Sequence, residues 1–129
     1  MLGVILDADS VGKDVDLSPI TELLDDWRIY ESTLPSETSA RIADAQIVLS
    51  NKIPLNESNL KQSKVQFISI MATGTNNVDL NYTKKRGITV SNAVAYATPS
   101  VVQHTITLIL ALSTNLQAYL RDVRRGVWQ

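Results

Sequence analysis

The chain has no cysteine, one histidine, one phenylalanine and only five glycines in 129 residues. Without cysteine there is no disulfide framework, no thiolate zinc cluster and no thiol nucleophile, a composition at home in a reducing compartment. A cytoplasmic protein is therefore expected. The glycines, Gly3, Gly12, Gly74, Gly87 and Gly126, nowhere approximate G-x-G-x-x-G, so no glycine-rich turn is available to bring a dinucleotide pyrophosphate onto a helix N-terminus. Neither sign of charge is in excess: 12 Lys+Arg against 13 Asp+Glu give a formal charge of -1, which offers nothing to nucleic acid or anionic lipid. Long apolar runs are missing as well. The opening "MLGVILDADS" lacks a basic start and meets Asp7 too early for a signal peptide, and the run from Ile106 to Leu112 is too short to span a bilayer. Neither a nucleic-acid partner nor a membrane is expected.

What remains is ordinary globular material. Hydrophobic residues make up 44% and charged residues 19%, in a length that suits a single hydrophobic core. Five short apolar segments read as strands: Gly3 to Asp9, Trp27 to Ser32, Ala45 to Ser50, Val65 to Ala72 and Ile88 to Ala93. Three are nearly continuous runs of Val, Ile and Leu, the pattern of a parallel sheet covered on both faces. Helix signals alternate with them. Ser18-Pro19 precedes Ile20, Leu23 and Leu24; Ser36 precedes Ala40, Ile42 and Ala43; Asn56 precedes Leu60. Asp79 opens a fourth helix that closes on Lys84-Lys85-Arg86 and Gly87. Regular alternation of this kind predicts an α/β fold: a flavodoxin-like three-layer parallel sheet of order 2-1-3-4-5 with right-handed crossovers.

The last segment differs. From Ser100 to about Leu120 nothing reads as a breaker, and Val101, Val102, Ile106, Leu108, Ile109, Leu110, Ala111 and Leu112 surround the axis. A helix apolar all round is expected to be buried all round. At about 1.5 Å per residue it would run roughly 30 Å, longer than a domain of this size needs to cover its own sheet. The pattern divides the chain into residues 1–99, a flavodoxin-like domain, and residues 100–129, a long helix suited to contacts beyond that domain.

In an open parallel sheet, ligands sit beyond the carboxyl ends of the strands, near the point where strand order reverses. The loops "SNKIPL" (Ser50 to Leu55) and "ATGTNN" (Ala72 to Asn77) would face one cleft there. Gly74 gives the second loop torsional freedom and close approach, so that N–H groups from Thr73 to Thr75 could converge on an anion, a carboxylate or a phosphate. Lys52 would add a cation and Asn51 an amide donor. The same residues also suit an ordinary βα turn, with Asn76 or Asn77 as a cap and Lys52 solvated.

Other features lend themselves to plainer accounts. Asp7 and Asp9 have the residue type of a magnesium site but serve equally as turn-makers. His104 fits packing or an interface contact. Arg121, Arg124 and Arg125 complement a helix end.

Four stretches in register, "IADAQIVLSNKIPL", "FISIMATGTNNVDL", "KKRGITVSNAVAY" and "SVVQHTITLILAL", resemble the N-terminal part of the D-isomer-specific 2-hydroxyacid dehydrogenases. Within that family the likeness is to the glycerate dehydrogenase, or hydroxypyruvate reductase, subgroup. It is strongest from Ile42 to Leu112 and extends weakly to "VRRGVW", Val123 to Trp128. The resemblance implies a two-domain enzyme that reduces a 2-keto acid with NAD(H) or NADP(H), and this chain matches its substrate domain. Backbone N–H groups of the loop matching Thr73, Gly74 and Thr75 would bind the substrate carboxylate, with Asn51 and Lys52 closing the same pocket. The partners implied are a small 2-keto or 2-hydroxy acid, the Rossmann domain of the same polypeptide, and a second copy in a homodimer.

The resemblance places the dinucleotide fingerprint and the catalytic Arg, Glu and His in a region this chain does not match. His104 corresponds to the histidine of the long hinge helix. No cofactor and no catalytic residue is therefore expected in this chain, which should be inactive alone. Subgroup members often carry Gly-Tyr where this chain has Ala95-Tyr96, and an acid where it has Pro99. Two other classes share some of these features. A receiver-like signalling domain has the same sheet, but here the third strand ends in Ser50-Asn51 instead of a phosphorylatable Asp, and the fifth in Ser91-Asn92 without a Lys. A helix-mediated interaction module would use the terminal helix alone.

Overall fold

Each of the five apolar segments forms a short parallel strand in a computed structural model that describes residues 1–127. The strands are β1 (Leu2–Ile5), β2 (Asp26–Ile29), β3 (Ile47–Ser50), β4 (Phe67–Ile70) and β5 (Thr89–Asn92). Among the described residues they make one five-stranded sheet of order β2-β1-β3-β4-β5, the predicted order. Val4 sits between Arg28 and Val48, and Ile68 between Val48 and Val90. Strand order reverses at β1, which opens the crevice beyond the carboxyl ends of β1, β3 and β4.

The connections are α1 (Ser18–Thr21), α2 (Pro35–Ile42), α3 (Glu57–Leu60) and α4 (Leu80–Arg86). Asn56 caps α3 by accepting from the Ser58 N–H, and Asp79 caps α4 by accepting from the Tyr82 N–H at 2.9 Å. Gly87 takes the left-handed position after α4, with φ of 69°. Ser18 lies inside α1, its N–H and hydroxyl both bonded to the Asp16 carboxylate, so the helix starts one residue earlier than expected. It also ends at Thr21, short of Leu23 and Leu24.

One face of the sheet packs on α2, α3 and α4. Leu2, Val4, Leu6, Val48, Ile68 and Ile70 meet Ile42, Leu60 and Tyr82 there. Each fully buried aliphatic side chain contributes about 1.5–3 kcal/mol, which makes this face the main store of stability. The other face is less filled. Ile47, Leu49, Phe67 and Ser69 line a cavity of about 270 Å³ with Trp27 and with Ile20, Leu23 and Leu24. The Trp27 indole lies flat on Gly3, where an added Cβ would come within 2.5 Å of the ring.

The chain divides into two compact units, Met1–Val94 and the residues from Ala95 onwards. The second unit contains α5 (Thr98–Ser113) and α6 (Leu116–Arg124). The expected single helix is therefore broken. Ser113 and Thr114 hydroxyls both donate to the Leu110 carbonyl, and Asn115 turns into the left-handed region with φ of 51°. Hydroxyls that compete for the last carbonyls, followed by an Asn that tolerates positive φ, end a helix without Gly or Pro.

The apolar surface of α5 is left open, as expected of a helix suited to contacts beyond this chain. No residue of α5 is buried, and Val101, Ile109 and Leu112 are 59%, 59% and 80% exposed. Two helices alone cannot enclose an apolar surface that runs around the whole axis. Ala95 is held at φ of 59°. Trp128, at the end of the weakly similar segment, lies outside the described residues.

Candidate functional site

Beyond β3 and β4 the two predicted loops face a common cleft of about 360 Å³, lined by Asn51, Lys52, Ala72, Gly74, Asn76 and Asn77. Its base is rigid. Leu55 and Val78 form a parallel bridge, with the Leu55 N–H donating to the Asn77 carbonyl at 2.8 Å and the Asp79 N–H to the Leu55 carbonyl at 2.9 Å. The Asn77 amide spans the same gap, donating toward the carbonyls of Ile53 and Asn51 at 3.3 and 3.5 Å. Neither Asn76 nor Asn77 caps α4; Asp79 does.

The loop after β4 is held from β5. The Thr73 hydroxyl donates to the Ala93 carbonyl at 2.9 Å, and the Asn92 amide donates to the Thr73 carbonyl at 2.7 Å. The hydroxyl and carbonyl of Thr73 are thus engaged while its N–H is not. The backbone N–H groups of Thr73, Gly74, Thr75 and Asn76 donate to no acceptor among the described residues. Thr73, Gly74 and Asn76 are exposed and Thr75 is half-buried, so these donors are open to solvent or to an acceptor from outside the chain.

Of the two parts expected of Gly74, torsional freedom and close approach, the first is not used. Its φ is not in the left-handed region, and an added Cβ would meet only the Asn76 Oδ1, at 3.1 Å. The turn needs no special torsion here; what glycine leaves open is the space over the loop.

The loop after β3 is anchored from β1. The buried Asp7 carboxylate accepts from the Asn51 N–H at 3.0 and 3.1 Å and from the Lys52 N–H at 2.7 Å. Asn51 also donates its side-chain amide to the Ser10 carbonyl at 3.1 Å. The amide is thus partly engaged away from the cleft, which leaves the Lys52 ammonium as the loop's main offering. No carboxylate lies within ion-pairing distance of Lys52 among the described residues. The sequence reading brought Asn51, Lys52 and Gly74 to the cleft wall, with Thr73 and Thr75 in the same loop but not on the wall. Ala72, Asn76 and Asn77 also line the wall, residues the sequence reading had in the loop but not among the binding residues. That reading missed the bonding of Asp7, for which an acid closing a strand of buried apolar residues was the available signal. No group of three or more His, Cys, Asp or Glu among the described residues is placed to hold a metal ion.

The profile of the D-isomer specific 2-hydroxyacid dehydrogenase catalytic domain matches residues 5–125. The chain belongs to that family. A Haemophilus influenzae protein provisionally named a 2-hydroxyacid dehydrogenase is 36% identical over 126 residues, 97% of this chain and 40% of that protein. The glycerate dehydrogenase of Methylorubrum extorquens is 39% identical over 105 residues, 80% of this chain and 33% of the enzyme. This 2-hydroxyacid dehydrogenase domain therefore spans well under half the length of these relatives. The structure of an acyclic imino acid reductase, Bsp5, in complex with NADPH and D-Arg shares the fold, with a TM-score of 0.84 over 98% of this chain and 41% of that one, at 18% identity.

In this dehydrogenase domain the turn after β1 does not fit the pyrophosphate of a dinucleotide. It presents Asp7 and Asp9 and reaches no glycine before Gly12, so a pyrophosphate there would meet carboxylates instead of a glycine cradle.

Proposed function

We propose that the cleft binds the carboxylate of a small 2-keto or 2-hydroxy acid, and that this chain is the substrate-binding part of an NAD(P)-dependent D-2-hydroxyacid dehydrogenase of the glycerate dehydrogenase or hydroxypyruvate reductase type. One observation carries the reading: the run of unpartnered N–H groups from Thr73 to Asn76, in a loop whose Gly74 and Asn76 line the cleft. Donors of this kind suit a carboxylate because charge-assisted bonds are roughly twice as strong as neutral ones. Lys52 adds a cation without a competing ion pair, and Asn51 a wall. The identity shared with the glycerate dehydrogenase supports the choice of acid.

On this reading the chain is the substrate half and should not bind NADH tightly; micromolar binding by calorimetry would refute that. Titration of the 15N-labelled chain with oxalate and with glyoxylate tests the site. Amide shifts concentrated at residues 51–53 and 72–77 are expected. Shifts scattered elsewhere, or none at millimolar ligand, would overturn the assignment.

The homodimer belongs to the same reading. Val101, Ile106, Ile109 and Leu110 leave more than half of their surface exposed on α5, an apolar area that a second copy would cover. Light scattering at tens of micromolar should give twice the chain mass; a monomeric mass with helicity retained would remove the dimer.

A further inference from the structure

The Asp7 carboxylate is 4% exposed, accepts from backbone N–H groups 44 and 45 residues away, and has no cationic partner among the described residues. A buried charge held only by main-chain donors is costly to keep, so its bonds deserve a purpose. Its own backbone is fixed: the Leu6 N–H donates to the Leu49 carbonyl, the Ala8 N–H to the Tyr30 carbonyl and the Ser10 N–H to the Asp7 carbonyl. The acid therefore projects from the rigid end of β1 at the switch point of the sheet. Its two donors lie just past Ser50, where the β3 ladder ends.

We infer that Asp7 is a positioning residue for the substrate cleft: it clamps the Asn51 and Lys52 N–H groups, and so fixes where the Lys52 ammonium stands opposite the Thr73 to Asn76 donors. This rests on the carboxylate-binding reading above. The clamp has a second consequence. Because the Asn51 and Lys52 N–H groups are spent on Asp7, that of Ile53 on the Ser50 hydroxyl and that of Leu55 on the Asn77 carbonyl, the loop offers the ligand only side chains, and a carboxylate is directed to the β4 loop. Asn51 completes the tie by donating its side-chain amide to Ser10, so the loops after β1 and β3 move as one body.

Asp7→Asn keeps the volume but puts an NH2 group where one of two acceptor oxygens stood, facing a backbone N–H. Oxalate binding by Asp7→Asn, followed by amide shifts, should weaken roughly tenfold, the equivalent of one ordinary hydrogen bond. In the free variant the Asn51 and Lys52 amide protons should move upfield while those of residues 73–76 stay in place. A general loss of structure would shift both loops alike, so the pattern separates positioning from mere stability. Unchanged oxalate affinity in a folded Asp7→Asn would overturn the inference.

If that variant does not fold, scalar couplings across the hydrogen bonds in the unmodified chain decide. Couplings from the Asn51 and Lys52 nitrogens to the Asp7 carboxyl carbon, present with and without oxalate, support the clamp; their absence overturns it. Should the unmodified chain not bind oxalate at all, the carboxylate reading falls, and the same couplings still judge the clamp on its own.

Discussion

Replacing Gly74 by Ala separates the two uses a glycine can have in a ligand loop. Were the backbone at Gly74 left-handed, the methyl group would strain the turn and the fold would suffer first. It is not, and the added Cβ would touch only the Asn76 Oδ1, at 3.1 Å. That atom ends an exposed side chain and can yield by the few tenths of an ångström required. The strain should be small and partly offset by the lost freedom of the unfolded chain, which favours Ala by about 0.4–1 kcal/mol where the conformation allows it. Stability should therefore change by less than about 0.5 kcal/mol, within the range of ordinary surface substitutions.

Binding should respond differently. A methyl group in the space that glycine leaves open displaces a carboxylate oxygen from at least one N–H. Losing one bond to a charged group costs roughly 1.5–3 kcal/mol, a weakening on the order of ten- to a hundredfold. Thermal unfolding and an oxalate titration on the same sample read the two effects together. The double variant with Asn76→Ala removes the one steric contact and serves as control. Oxalate affinity equal to that of the unmodified chain in a folded Gly74→Ala would refute the close-approach argument. Recovery in the double variant would transfer the cause to Asn76.

Gly3→Ala should destabilise the fold by about 1–3 kcal/mol, since its methyl would lie 2.5 Å from the Trp27 ring; denaturant unfolding of Gly3→Ala with and without Trp27→Leu should show relief in the pair. Ala95→Gly should stabilise by about 0.5–1 kcal/mol, because Ala95 holds a φ of 59° that glycine adopts freely; no gain in the unfolding midpoint would mean that the strain is absent. Asp44 is held below the usual aspartate range, first by the hydrogen bond from the Lys64 ammonium at 2.7 Å and then by that charge. A depressed carboxyl favours the fold above the unfolded group's value and loses that favour as pH falls through the lowered one. Lys64→Met should move the Asp44 carboxyl midpoint upward in an NMR titration, with little effect on stability because the pair is exposed.

How much of this was legible depended on whether a signal was local. The strands themselves and the cap residues Asn56, Asp79 and Gly87 follow from short patterns whose partners sit a few residues away, and the strand order follows from the regular alternation of strands and helices along the chain. Helix α1 departs because Leu23 and Leu24 belong to a turn that reaches the far side of the sheet, where they join Trp27 and Phe67; their spacing is the same for either role. The cleft loops were legible as composition, small and polar after an apolar strand. Their wiring was not, because each tie is long-range: Asp7 to Lys52, Asn77 to Ile53, Asn92 to Thr73. A carboxylate at the end of β1 reads the same whether it holds a metal, makes a turn or accepts two N–H groups from another loop.

The terminal helices show the limit from the other side. Hydrophobic periodicity reports the burial a segment is suited to in its complete setting, and an all-round apolar α5 calls for contacts on every side. The second unit provides one neighbour, α6, so the surface the pattern promised to bury stands exposed. The break at Asn115 was present in "STN" all along, but its force comes from two hydroxyls converging on one carbonyl, and propensity scales treat Ser, Thr and Asn one residue at a time. Mutation can weigh these terms: Asn115→Ala removes the side chain that tolerates positive φ while leaving both hydroxyls. If the hydroxyls alone end α5, helicity by circular dichroism will not change. If Asn115 supplies the turn, the variant should gain helix as α5 and α6 merge, and the chain would then approach the continuous helix that the apolar pattern describes.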